Sequence, residues 1–218
     1  MGKHLQREIE GLKKQITVLS TVVEESVRKA VKSIEERDTT LAKEIIERDW
    51  VIDEQEVRVE EECLKILALH QPVAIDLRFI IAALKINNDL ERMGDLAVNI
   101  AERTVFLHDR EPIQAPFAFD EMCGKTLAML RGSLDSLFDM DANLARRVLA
   151  SDDEVDEINR QMYAKIGAAI QADPSRTDRL LSYLSTSRHL ERIADATTNI
   201  AEDVIYMIEG SIVRHQKP

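Results

Sequence analysis

The chain is short of the residues that make turns and staples. Seven glycines and five prolines in 218 residues are too few for a fold of many short strands and tight turns. The two cysteines, Cys63 and Cys123, are far apart, with no Cys-x-x-Cys or histidine-rich spacing nearby. That excludes a disulfide framework or zinc ribbon and points to two buried thiols in a reducing compartment. With one tryptophan, three tyrosines and five phenylalanines, the core must come from Leu, Ile, Val, Ala and Met. No apolar run approaches the ~18 residues of a membrane span. Met1-Gly2-Lys3-His4 leads directly into Glu8 and Glu10, which is not a signal peptide. A cytoplasmic address without direct membrane insertion is therefore expected. Positive charge is scarce too: 29 Lys and Arg against 40 Asp and Glu, net −11. Such a field repels phosphate backbones and disfavours polybasic attachment to lipid, so no nucleic-acid partner is expected. It does attract cations.

What the sequence has in quantity is helical periodicity. Leu5, Ile9, Leu12, Ile16, Leu19, Val23, Val27, Ala30 and Ile34 recur at three and four spacing, one apolar face of a first helix that ends near Arg37. Asp38 is placed to cap a second helix from Thr39 through Trp50, Val57 and Leu64 to Gln71-Pro72. A third runs from about Val73 to His108. Asp109 to Ala118, with Pro112 and Pro116, is the one extended break and reads as a linker. Beyond it the pattern returns: a helix over about Phe119–Asp139, a second capped by Asp141, and a third introduced by Asp173-Pro174 and ending near Gly210. Short turns between long helices force antiparallel neighbours. The expected fold is all-α: two tandem antiparallel three-helix bundles, over residues 1–111 and 117–218, related by internal duplication.

The duplication can be followed residue by residue. Leu90-Glu91-Arg92-Met93-Gly94-Asp95 and Asn99-Ile100-Ala101-Glu102 return 100 positions later as Leu190-Glu191-Arg192-Ile193-Ala194-Asp195 and Asn199-Ile200-Ala201-Glu202. Asp49, Asp53 and Glu54 return 103 positions later as Asp152, Asp156 and Glu157. Residues four apart share one helix face, so Asp49 with Asp53, and Glu91 with Asp95, form two stacked acidic pairs. Folding the hairpin at Gln71-Pro72 brings Asp53 level with Glu91, and Asp49 level with Asp95. Folding at Asp173-Pro174 matches Asp156 with Glu191, and Asp152 with Asp195. Ordinary surface acids are the plain alternative, with Arg92 or Lys85 pairing to Glu91 or Asp95. But like charges at this spacing destabilise a helix by a few tenths of a kcal/mol, and four such pairs at matched heights call for a cation. The candidate metal ligands are Asp49, Asp53, Glu91 and Asp95 in the first half, and Asp152, Asp156, Glu191 and Asp195 in the second. Asn99, Glu102, Asn199 and Glu202 continue each stripe as outer ligands or as capping groups. All-oxygen donors suit a divalent or trivalent metal such as Mg²⁺, Mn²⁺ or iron better than a structural zinc. No Glu-x-x-His spacing of the ferritin type accompanies them.

At these residues the sequence resembles the PhoU family, over essentially the whole chain from His4 to Ile208. The most specific parts are the acidic pairs and the run Leu90-Glu91-Arg92-Met93-Gly94-Asp95-Leu96-Ala97-Val98-Asn99-Ile100-Ala101-Glu102. The second copy departs from it at Ala194 and Thr197-Thr198, leaving the acids intact. The resemblance implies a self-associating protein, a homodimer in the simplest case. It also implies metal on the acidic faces, an iron cluster or Mn, Mg, Zn or Ni. It further implies a negative regulator of phosphate uptake and of the phosphate-starvation response. Such a regulator is an adaptor between the ATPase subunit of a phosphate ABC transporter and a sensor histidine kinase.

Read from its residues alone, the chain offers no nucleophile with a positioned base, no glycine-rich phosphate loop and no basic phosphate pocket, so a non-enzymatic role is expected. Of His4, His70, His108, His189 and His215, most fall at helix ends, and His189 stands where the first half has Asp89. The competing function is a hydrolase or other metalloenzyme that uses several metal ions to activate water.

Overall fold

A computed structural model describes residues 3–115, 117 and 119–210. Met1, Gly2, His215, and Pro116 and Ala118 of the expected linker lie outside them. Seven α-helices follow in chain order: α1 Lys3–Glu36, α2 Thr39–Glu47, α3 Trp50–His70, α4 Ala74–His108, α5 Asp120–Phe138, α6 Ala142–Ala172 and α7 Thr177–Glu209. A 3-10 turn at Pro174–Arg176 leads into α7. No strand occurs among the described residues, and no helix there is long and apolar enough to cross a membrane. Helices α1 to α4 pack on one another as one three-layer unit, and α5, α6 and α7 as another. Helix α4 also runs against α7, and α1 touches α5, joining the two units.

The same corner opens the second layer of both units. Arg37 and Met140 adopt left-handed φ of 55° and 56°, letting the chain turn out of the preceding helix. The Asp38 and Asp141 amides then donate to the Ser33 and Ser136 carbonyls, each at 2.9 Å. The Asp38 carboxylate accepts from the Thr40 and Leu41 amides at 2.9 and 3.0 Å, and Asp141 accepts from Asn143 and Leu144 at the same distances. These groups satisfy first-turn donors that have no partner within the helix. Asp141→Ala is therefore expected to cost about 1 kcal/mol and lower the melting temperature by ~2–4 °C. Asp141→Asn, which keeps the acceptor, should stay near wild type in the same thermal melts.

One expected element is corrected. The second helix is not continuous from Thr39 to Gln71 but is interrupted at Arg48–Asp49. The Arg48 amide is shared between the carbonyls of Glu44 and Ile45 at 3.1 and 3.2 Å, and the Val51 amide reaches back only three residues, to Arg48, at 3.0 Å. The ladder tightens and the helix restarts at Trp50, which is 60% exposed. Its counterpart α6 runs unbroken through Asp152.

The periodic residues of α1, from Leu5 to Ile34, are all buried, and α4 and α7 bury the most side chains. Both cysteines are buried, and burial pushes the thiols up to about 12 for Cys63 and about 11 for Cys123. They act as small core hydrophobes rather than nucleophiles.

Candidate functional site

The packing of α3 on α4 and of α6 on α7 decides where the acids go. In α4 the residues around Glu91 and Asp95, namely Leu90, Met93, Gly94, Leu96 and Ala97, are buried. In α7 Leu190, Ile193, Ala194, Ala196 and Thr197 are buried likewise. The carboxylates between them are thus held at the rim of the helix–helix seam. Asp49 and Glu91 are half-buried, Asp53 and Asp95 exposed. In the second half Asp152, Asp156 and Glu191 are half-buried and Asp195 is exposed.

The acids sense one another in the register the folded hairpins anticipate. Burial, then Asp53 and Asp95, raises the Asp49 carboxyl above its ordinary range. Glu91 is raised by burial, then by Asp95, Asp53, Glu56 and Asp49. In the second half burial pushes Asp152 up to about 6, helped by Asp156, Asp195, Asp153 and Glu191. Glu191 and Asp195 are raised by burial and by their acidic neighbours, against nearby arginines. Desolvation and like charge both penalise the ionised form, and here they act together.

None of the eight carboxylates has an ion-pair partner or a side-chain hydrogen bond among the described residues. Other acids do: Glu154 meets Lys125 at 2.6 Å, Asp178 meets Arg110 at 3.0 Å and Asp203 meets Lys85 at 3.1 Å. The last contact takes Lys85 away from Glu91, and Arg92 lends its field to Asp195 of the other half. Asp152 Oδ1 is buried without a partner. As placed, no three His, Cys, Asp or Glu side chains among the described residues are arranged to hold a metal ion. Flexible side chains of one charge repel and do not converge unaided. The donor set nevertheless fits a hard cation: carboxylate oxygens on two adjacent helices, uncompensated by any lysine or arginine contact.

The stripe continuations are placed less suggestively. The Asn99 amide donates to its own helix at the Asp95 carbonyl, 2.9 Å away. Glu102 is exposed and lies 3.6 Å from Arg103. Asn199 and Glu202 are half-buried on α7. His189 is interior to α7, 3.2 Å from the Ser185 hydroxyl. Burial and Arg192, Arg103 and Arg188 lower it to about 4, so it stays neutral at ordinary pH.

One member of the first cluster is not among the expected ligands. Glu56 stands seven residues after Asp49, two turns along the same face, and its charge reaches Glu91. Fully buried Asn87 holds it, donating to the Glu56 carbonyl at 2.8 Å and to its carboxylate at 3.1 Å. The i, i+7 spacing carried this signal, obscured by the abundance of Glu in α3. The second half has Asn159 there, accepting from the Ser187 hydroxyl, and Arg188 where the first has Asn88. Glu56 thus adds charge beside Glu91 on the first face, while Arg188 offsets part of that around Glu191 on the second.

Comparison with known proteins agrees with this duplicated architecture. A family model described as the PhoU domain matches twice, over residues 16–104 and 119–204. The phosphate-specific transport system accessory protein PhoU homolog of Aquifex aeolicus is 38% identical, covering 97% of this chain and 96% of that one. PhoU homolog 1 of Thermotoga maritima is 34% identical, covering 95% and 90%. The crystal structure of PhoU from Pseudomonas aeruginosa superimposes with a TM-score of 0.87 at 33% identity, covering 94% of this chain and 99% of that one. The phosphate transport system regulatory protein PhoU from Streptococcus pneumoniae gives 0.85 at 28%, covering 96% and 99%. With both halves matched, and relatives and solved structures aligned nearly end to end, the chain belongs to the PhoU family.

Proposed function

We propose that this protein is an accessory protein of a phosphate transport system, working in the cytoplasm as a non-enzymatic adaptor. In this reading it restrains phosphate uptake and the phosphate-starvation response by bridging the transporter's ATPase subunit and a sensor histidine kinase, and it does so as a homodimer. The names of the relatives in Aquifex aeolicus and Thermotoga maritima support the transport role. The observation that carries the molecular part is the set of eight carboxylates without ion-pair partners, in two register-matched groups. Asp49, Asp53, Glu91 and Asp95 would hold a cation on the first face, with the Asn87-held Glu56 beside them, and Asp152, Asp156, Glu191 and Asp195 on the second. When bound, a divalent or trivalent ion supplies the charge that compensates each group. The acids orient across the two helices of each seam, so occupancy and helix spacing are linked. That gives an adaptor a rigid docking surface rather than a cleft for chemistry.

A deletion strain tests the role. Without this gene, the phosphate-starvation response should stay on in phosphate-rich medium, and a plasmid copy should restore repression. Normal repression in the deletion strain, with no homologous gene to cover for it, overturns the assignment.

A further inference from the structure

Beneath the first cluster the two acidic helices meet at one crowded point. A Cβ added to Gly94 would lie 2.7 Å from Ile52 Cδ1 and 3.2 Å from Ile52 Cγ2, so the Ile52 side chain must turn its end away and give by a few tenths of an ångström. Ile52 is 2% exposed, so it is enclosed by its neighbours. The positions are pointed: Ile52 precedes Asp53 and follows Asp49 by three, while Gly94 precedes Asp95 and follows Glu91 by three. The contact therefore lies on the α3–α4 seam at the level of the two acidic pairs. The duplication puts Val155 and Ala194 at the corresponding places, both fully buried. Valine lacks the Cδ1 that would clash, and alanine supplies the Cβ that glycine lacks. The two pairs carry the same number of side-chain carbons, distributed differently between the helices.

We propose that Ile52–Gly94 and Val155–Ala194 are matched spacer pairs whose combined size sets the separation of the acidic helices, and through it the fit of each carboxylate group to a cation. These are positioning residues: neither side chain offers a donor atom. The inference rests on the cation-binding reading of the acidic faces. Close packing leaves such a seam no slack, because interiors are filled to crystal-like density and overfilling forces backbone shifts. Propensity works the other way, since alanine is favoured over glycine inside a helix. The sign of the Gly94→Ala effect therefore reports whether the seam is tight.

The test is a double-mutant cycle in the full chain, with Glu191→Gln and Asp195→Asn in the background so that Mn²⁺ binding reports the first face. Gly94→Ala should lower the melting temperature in chelator by ~3–10 °C and weaken Mn²⁺ binding about tenfold or more, as lost support around ligands does. Adding Ile52→Val, which recreates the second half's pair, should recover most of both losses. A Gly94→Ala protein that melts at or above its Glu191→Gln/Asp195→Asn parent in chelator, or one that Ile52→Val fails to rescue, overturns the spacer. So does a cycle in which stability follows the expected pattern while Mn²⁺ affinity is the same in all four proteins. If the parent takes up no Mn²⁺ at all, the cation reading has failed and the positioning role with it. The chelator melts still report the packing separately.

Discussion

Adding Mn²⁺ to chelator-treated protein is expected to raise its melting temperature by roughly 10–20 °C when the ion is ~100-fold above its Kd. At that excess each site stabilises the folded chain by about 2.7 kcal/mol, and in a chain of this size each kcal/mol is worth ~2–4 °C. The cause lies in the uncompensated groups. Asp49 and Glu91 in one half, and Asp152, Glu191 and Asp195 in the other, are all raised by burial and by neighbouring carboxylates of the same group. A cation removes that penalty only in the folded state, where the carboxylates stand together. Glu91→Gln with Asp95→Asn should abolish about half the shift, and Glu191→Gln with Asp195→Asn the other half. In chelator both variants should melt at or above wild type, because removing like charge relieves repulsion, and this separates a lost site from a damaged fold. Melting curves unmoved by excess Mn²⁺, Fe²⁺, Zn²⁺ or Mg²⁺ would rule the sites out.

Much of this was legible because the chain states it twice. Asp38 and Asp141 are interpretable as caps from either copy, and the constant offsets of Glu91/Glu191 and Asp49/Asp152 set the register of both hairpins before any packing is known. Local spacing can say that two acids share a helix face, and hairpin length can say which acids stand level. The break at Arg48–Asp49 was hidden for a corresponding reason. It uses neither glycine nor proline: Asp49 keeps helical dihedrals of −54° and −39°, and Arg48 departs from them, at −104° and 6°, as the hydrogen-bond pattern tightens. Nor does spacing within one half reveal that Arg92 of α4 acts on Asp195 of α7, because that depends on how the two units pack. The spacer pairs lay in plain view as Ile/Gly and Val/Ala. Their meaning required the distance between α3 and α4.

Asp152 is expected to cost the metal-free protein stability as pH rises from about 4 to 6, an effect isolated by comparison with Asp152→Asn because His189, held down to about 4 by burial, works in the opposite sense over the same interval. Its carboxyl titrates at about 6 in the folded chain against an ordinary value of 3.8. Over that interval the folded protein holds a proton on Asp152 that the unfolded chain has released, so this group's contribution to stability falls as pH rises. The penalty is absent below the unfolded value and complete above the folded one. A gap of about two pH units corresponds to ~3 kcal/mol. Because Asp152 is only half-buried, solvent screening reduces the figure to ~1–2 kcal/mol. Glu191 and Asp195 are shifted in the same direction and steepen the slope. Surface acids with a cationic partner, such as Glu44 beside Lys29, are lowered and work in the opposite sense. Asp152→Asn should accordingly raise the melting temperature in chelator by ~3–6 °C at pH 7 and by almost nothing at pH 4. Thermal melts from pH 4 to 7.5 measure both arms. Saturating Mn²⁺ should remove Asp152's share of the wild-type slope, since a cation beside Asp152 favours its ionised form. An Asp152→Asn protein no more stable than wild type at pH 7, or one keeping the wild-type slope in chelator, would mean that Asp152 is not carrying the charge penalty of the second face.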